Sequence, residues 1–375
     1  MKKKITHIII GLNVGGAELM LQRLVFNSSK KGQFEHLVIS LTDLGVIGPK
    51  LQQEGIKVFT LNIHSLATMP LGLIKLRKLL KEIKPDVVQT WMYHADLLGG
   101  MVAKSLGIDN IIWGVRRSQP YDKHSNMKTL FRKVCASTST YIPSKIVCVA
   151  HMAKKNHALF GYNLDKMIVI PNGFDLSYFY PDRKKKYILR SSLNIEDNDL
   201  LIGNIGRFTP EKNHINFIKA CITLMNKGYV FKVLFAGRDI NLSNPKISKL
   251  LLNSEFRSNF IFLGEISDTS YFYNAIDIFC LCSYTEGFPN VLGEAMATGN
   301  VCLSTDAGDA KLILNNYGFN IEGSDSHNIA SSIEENIFNT SKAELQDIGL
   351  KARNSIQERY AIEGVVSAFE ELYKD

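Results

Sequence analysis

Short apolar runs alternate with longer amphipathic stretches along the whole chain. In the first half the runs fall at residues 5–11 (ITHIIIG), 36–41, 57–60, 86–89, 111–114, 145–149 and 167–170. They lack strict apolar/polar alternation, which predicts strands buried on both faces and therefore parallel sheets covered by helices. Helical spacing is found between them, at 16–29, 70–83, 94–106 and 124–137. After PNGFDLSYFYP (171–181) the polar stretch DRKKK (182–186) reads as a linker. The alternation then restarts, with strands expected at 200–205, 231–236, 260–263, 278–282 and 301–304 and helices at 213–226, 290–298, 326–338 and 342–355. A last helical pattern spans 357–374. Two successive βα halves predict an α/β protein of two Rossmann-like domains, 1–180 and 181–355, facing each other across a cleft.

Composition fits that picture. A chain of 375 residues has room for two cores, and 45% hydrophobic with 21% charged residues is a globular balance. No apolar stretch approaches the roughly 18–20 residues that cross a bilayer. The start, MKKKITHIIIGLNVGG, has lysines before an apolar run, but His7, Asn13 and the lack of a small-residue cleavage pattern favour a buried strand over a signal peptide. Six scattered cysteines without a CxxC pair predict reduced thiols and a cytoplasmic setting.

Charge adds a candidate surface. The chain is net +8, and residues 116–155 hold nine Lys/Arg, Arg116, Arg117, Arg132 and Lys133 among them, against one acid, Asp122. Such a face suits an anionic membrane, an anionic substrate or plain solvent. Such a face could also meet nucleic acid, but a basic strip of the single-strand-binding type is not evident, and nucleic acid is not expected as a partner.

Candidate chemistry gathers where strands give way to helices. Gly15 and Gly16 follow the first strand in G-x-x-x-G-G spacing, which is not the GxGxxG fingerprint. They serve a tight turn or the close approach of a ligand. In GRFTPEKNH (206–214), Gly206 ends a strand while Arg207 and Lys212 bracket the following loop, a pairing of fork and point charge suited to a diphosphate. In EGFPNVLGEAMATG (286–299), Pro289 is placed to open a helix, so that the Asn290 and Val291 amides aim at a phosphate. Glu286 before that helix and Glu294 within it offer carboxylates to vicinal hydroxyls. His94, with Asp96 behind it, follows the 86–89 strand as a polar clamp or proton shuttle. Trp91 and Tyr93 nearby stack on a sugar or simply pack. Asp197-Asn198-Asp199 spells a DxD, but it precedes a strand and reads as a surface turn.

Together these segments resemble the retaining family-4 glycosyltransferases (glycosyl transferases group 1) of the GT-B fold. The resemblance covers nearly the whole chain: GLNVGGAE (11–18), QTWMYHADLLGG (89–100), WGVRRS (113–118), VIPNGFD (169–175), GRFTPEKN (206–213) and the E-x7-E pair Glu286–Glu294. It implies a nucleotide-sugar donor, UDP-linked, held mainly on the second domain without a metal or other cofactor. Arg207 and Lys212 would hold the diphosphate and Glu294 the ribose. Glu286 would lie by the transferred sugar, with Gly206 and the Gly287, Phe288, Pro289, Asn290 and Val291 backbone cradling sugar and phosphate. Gly15 and Gly16 would close over the phosphates, His94 would contact the sugar, and the final segment, 356–375, would cross back onto the first domain. The acceptor implied is a lipid-linked or growing cell-surface glycan, reached from the inner face of the cytoplasmic membrane, with Arg116, Arg117, Arg132 and Lys133 toward acceptor or membrane. Lys311 stands where an acid or amide is common, and Gln89 and Trp91 where histidines are common; both bear on the donor sugar. A nucleotide-sugar epimerase and a non-catalytic sugar-binding relative are the alternatives on the same architecture.

Overall fold

The computed structural model describes residues 2–119 and 126–374, and divides into two compact units, Met1–Gly173 with Ile362–Asp375, and Phe174–Ala361. The first unit is built on seven strands: β1 (Lys3–Ile9), β2 (Phe34–Ser40), β3 (Lys57–Thr60), β4 (Val87–Trp91), β5 (Ile111–Val115), β6 (Lys145–Cys148) and β7 (Met167–Val169). The second has six: β8 (Leu201–Ile205), β9 (Lys232–Ala236), β10 (Phe260–Phe262), β11 (Ile278–Leu281), β12 (Val301–Thr305) and β13 (Phe319–Ile321). Strand orders are β3-β2-β1-β4-β5-β6-β7 and β10-β9-β8-β11-β12-β13, and all pairings are parallel. Both sheets are therefore doubly wound, with the order reversing at β1/β4 and at β8/β11; crevices open there, beyond the carboxyl ends of the strands.

Burial explains the sequence pattern. In β4, β5, β8 and β12 every residue is buried, as continuous apolar runs in covered parallel sheets require. The first core gathers Ile5, Ile9, Leu21, Leu24 and Trp91 with Val366, Phe369 and Tyr373 of the last helix, Ile362–Lys374. The second packs Phe217, Ile218, Phe235, Cys280 and Leu303. All six cysteines are buried free thiols. No helix among the described residues is long and apolar enough to cross a membrane.

Several expectations change. DRKKK is no linker: Asp182 caps the helix Arg183–Ser192 by accepting from the Lys184 and Lys185 amides. Charged composition concealed a helix whose Arg190 is buried, donating to Ala275 O and ion-pairing with Asp277 at 2.6 Å. The helix expected at 357–374 is broken. Lys342–Tyr360 ends, Ala361 turns extended to bridge with Phe174, and Ile362 restarts a helix. The Phe174 amide donates to Tyr360 O at 2.8 Å, so the chain's two crossings run side by side. The units thus divide at Gly173/Phe174 and Ala361/Ile362, where composition had suggested 180 and 355. The segment 94–106 splits into a π-helical turn, Ala95–Gly99, and a short helix, Gly100–Lys104. The start of the helix expected at 124–137 lies outside the described residues, as do Asp122 and Lys123 of the basic segment.

Candidate active site

At the carboxyl edge of the second sheet, β8 delivers Gly206 and Arg207, and a 3-10 turn, Pro210–Lys212, precedes the helix His214–Asn226. Beside it β11 feeds the loop that carries Glu286. Lys212 Nζ reaches Glu286 Oε1 at 2.6 Å, and Ser283 Oγ donates to the same oxygen at 2.7 Å. The two loops are also stitched through backbone: the Tyr284 amide donates to Glu211 O, and Asn213 Nδ2 donates to Cys282 O and Ser324 O. Sequence spacing alone places Lys212 and Glu286 on separate loops; the fold makes them one polar unit. Arg207 is exposed beside Glu265, whose carboxyl is held low by hydrogen bonds and charge from Arg238, with a smaller contribution from Arg207.

Pro289 stands immediately before the helix Asn290–Ala297 rather than inside it, and its carbonyl accepts from the Leu292 and Gly293 amides. The helix itself provides no acceptor for the Asn290 and Val291 amides of its first turn. Phe288 anchors the loop by stacking on Phe174 and meeting Tyr360 edge-on. Behind the loop sits Gly308 at φ +64, where a Cβ would stand 2.5 Å from Gly287 O. Glu294 is buried, and Tyr273 donates to its Oε2 at 3.0 Å. A cavity of about 330 Å³ opens next to Ser283, Tyr284, Thr305, Asn320 and Ser324, at the ends of β11 to β13. Ser283, Gly308 and Tyr273 escaped the sequence reading. S-x-x-E was the one local cue for Ser283; Tyr273 and Gly308 are joined to their partners only by the fold.

A larger cavity, about 520 Å³, opens at the opposite edge, between Asp197, Asp199, Asp277 and Asn300. The DxD lies there: Asp199 pairs with Lys232 at 2.7 Å and accepts from the Glu196 amide, which makes it a turn. Among the described residues no cluster of His, Cys, Asp or Glu could hold a metal ion. Lys311 lies exposed in the short helix Ala310–Leu314.

In the first unit Gly15 is the extended residue before the helix Gly16–Lys31, and the Glu18 carboxyl folds back so closely that a Cβ on Gly15 would meet it at 2.4 Å. Burial raises the Glu18 pKa. His94, at the carboxyl end of β4, stacks on Phe131 at 4.5 Å. Burial first, then the Arg132 and Lys128 charges, lower its pKa, so the imidazole is neutral at pH 7. Asp96 points inward, accepting from Thr90 Oγ1 and the Gly114 amide, and burial pushes its pKa up to about 7. Trp91 and Tyr93 pack: Trp91 is in the core, and Tyr93 is hydrogen-bonded to His157.

Two of the arginines expected to face acceptor or membrane turn inward. Arg132 is buried with its guanidinium 4.8 Å over the Tyr93 ring. Arg116 lies over Trp91 and donates to Asn172, joining the WGVRRS and VIPNGFD segments, and burial lowers its pKa to about 10. An aromatic face compensates each cation, which composition could not reveal. Arg117 and Lys133 are exposed.

Two doubly wound units, the second with cations, carboxylates and a helix N-terminus at the carboxyl edge of its sheet, make this a glycosyltransferase of the GT-B fold. The description "Glycosyltransferase Family 4" matches residues 14–178 and "Glycosyl transferases group 1" matches residues 185–354. The chain belongs to this family. It is 27% identical over 312 residues to the UDP-Gal:alpha-D-GlcNAc-diphosphoundecaprenol alpha-1,3-galactosyltransferase of Escherichia coli, covering 81% of this chain and 79% of that protein. It is likewise 27% identical over 282 residues to an N,N'-diacetylbacillosaminyl-diphospho-undecaprenol alpha-1,3-N-acetylgalactosaminyltransferase of Campylobacter jejuni, covering 72% and 73%. Among solved structures, Anabaena Alr3699/HepE in complex with UDP superposes with a TM-score of 0.85 at 20% identity, covering 99% of both chains.

Proposed function

We propose that this glycosyltransferase moves a sugar from a UDP-linked donor to a lipid-linked glycan, with retention of anomeric configuration. The observation that carries the proposal is the Lys212–Glu286 pair, set beside the first turn of the Asn290–Ala297 helix at the carboxyl edge of the second sheet. Support for the substrates comes from relatives whose names specify a UDP-sugar and diphosphoundecaprenol-linked acceptors.

In this reading Arg207 and Lys212 neutralise the donor diphosphate as it departs, and the Gly287–Val291 backbone with the helix N-terminus receives phosphate and sugar. Glu286 accepts from hydroxyls of the transferred sugar while Lys212 and Ser283 hold its carboxylate in place. Glu294, oriented by Tyr273, accepts from the ribose. Gly206, against the Lys212 stem, adds its backbone to the donor cradle, Gly15 and Gly16 approach the phosphates, and neutral His94 contacts the sugar. The acceptor oxygen attacks the anomeric carbon on the face from which the diphosphate leaves, and the departing phosphate oxygen takes the hydroxyl proton. The products are the glycoside and UDP.

The test is a thermal-shift screen against UDP-, GDP- and ADP-sugars, since a ligand that binds only the folded state raises its stability. UDP-sugars are expected to give the largest shift, and transfer is expected to survive EDTA and to give a product whose NMR coupling shows retained configuration. Preference for another base, or an inverted product, would refute the corresponding part.

A further inference from the structure

Arg116 and Arg132 turn inward, and three strongly exposed apolar side chains gather elsewhere on the first unit. Leu66, Leu71 and Ile74 are 80%, 73% and 66% exposed, all within nine residues at the start of the helix Met69–Ile83. Single exposed leucines are ordinary, but three on one helical tip are not. Leu71, Ile74, Lys75, Lys78 and Lys81 share one stripe by their three- and four-residue spacing, and all five are exposed. The opposite stripe, Gly72, Leu76 and Leu80, is buried against the domain. Between residues 75 and 84 five cations stand against one acid, Glu82.

The helix is thus anchored by its inner face, while its outer face is apolar at the tip and cationic behind. That arrangement is the one that lies in a bilayer interface: apolar side chains enter the acyl boundary and lysines meet anionic headgroups. Glu82, 3.9 Å from Lys78, is the one acid among these five cations, so the flank keeps a net charge of +4, the sign that complements an anionic lipid surface. The tip follows β3, so it projects from the carboxyl edge of the first sheet, the same edge that carries Gly15, Gly16 and His94.

We propose that Leu66, Leu71 and Ile74, backed by Lys75, Lys78 and Lys81, form a docking surface for an anionic phospholipid bilayer. Docking by this tip turns the carboxyl edge of the first sheet toward the membrane; its purpose, though not its physics, rests on the lipid-linked acceptor proposed above.

The experiment is co-sedimentation of the full chain with phosphatidylglycerol/phosphatidylcholine vesicles and with phosphatidylcholine alone. The wild type is expected to bind the anionic vesicles and to be released as salt shortens the Debye length. The double variant Leu71→Ser/Ile74→Ser should lose at least roughly tenfold in partitioning at every salt concentration, and Lys78→Glu/Lys81→Glu a similar factor at low salt only. Val230→Ser, which removes an equally exposed side chain in the second unit, should bind as wild type. All variants should keep the wild-type melting temperature and the wild-type thermal shift with UDP, so failure at vesicles leaves the donor assignment standing. Wild-type protein that ignores anionic vesicles, or a Leu71→Ser/Ile74→Ser variant that binds them undiminished, would overturn the proposal. So would self-association that depends on Leu71 and Ile74 without vesicle binding, because a second copy would then be the occupant.

Discussion

A directed chain of hydrogen bonds beneath the last helix makes the first unit's stability depend on pH. Trp91 Nε1, which can only donate, points at His7 Nδ1 at 3.3 Å, so His7 carries its proton on Nε2. That proton is donated to His36 Nδ1 at 3.0 Å, and His36 Nε2–H donates to Ser28 Oγ at 2.9 Å. Ser28 in turn donates to Glu370 Oε1, whose other oxygen pairs with Lys31 at 2.8 Å. Tyr373 packs edge-on to both imidazoles. Every ring nitrogen is used in one direction, so a second proton on either histidine sets two donors face to face. Burial lowers the His36 pKa from 6.5 to about 4, and burial with the neighbouring His36 lowers that of His7 well below its usual value.

The unfolded chain therefore binds more protons than the folded one between pH 6.5 and about 4. Stability is present in full above about pH 6.5 and is lost as pH falls through that window. For His36 alone the loss is about 2 kcal/mol at pH 5 and about 3 kcal/mol at pH 4. The perturbation is His36→Gln, which keeps a donor and an acceptor but removes the titration. Both tryptophans of the chain, Trp91 and Trp113, are buried in this unit, so fluorescence during urea unfolding reports on it selectively. His157, also lowered to about 4, titrates in both proteins and cancels in the comparison. The variant should be about 1 kcal/mol less stable at pH 8, where a buried hydrogen bond is impaired. Its stability should fall less steeply than the wild type's between pH 6.5 and 5, by as much as about 1.4 kcal/mol per pH unit. Equal slopes would refute the network as the origin of the acid sensitivity.

Two further predictions concern the donor site. Lys212→Ala should lower kcat/KM for transfer by roughly 100- to 1,000-fold, the usual loss when a preorganised charge at a leaving group is removed. Its melting temperature should change little, because Lys212 and Glu286 are both partly exposed; unchanged turnover would remove Lys212 from the chemistry. Gly308→Ala should raise the donor KM and cost roughly 1–3 kcal/mol in thermal or urea unfolding, since the new methyl enters a left-handed backbone and meets Gly287 O. A variant as stable and as tight for donor as wild type would mean that the loop is not set from behind by Gly308.

The parts legible in the sequence were those that depend on local periodicity. Continuous apolar runs announced the parallel sheets because β4, β5, β8 and β12 are buried on both faces. Of the proposed donor site, the order of charges is legible: Arg207, Lys212 and Glu286 on loops after strands, and Glu294 in the helix that follows Glu286. What stayed hidden was how charge is compensated across the fold. DRKKK reads as a linker, yet it opens a helix whose Arg190 is buried against Asp277; Arg132 reads as surface and lies over Tyr93. Conversely, the exposed apolar stripe at Leu71 and Ile74 reads in sequence as an ordinary core helix. Periodicity reports that a face is apolar, but it does not tell whether that face looks inward. The helix Met69–Ile83 has two candidate faces, and only Gly72, Leu76 and Leu80 find a core to enter. The lysines behind Leu71 and Ile74 give the outward face a charge, and an apolar tip with a cationic flank is matched by an anionic bilayer rather than by water.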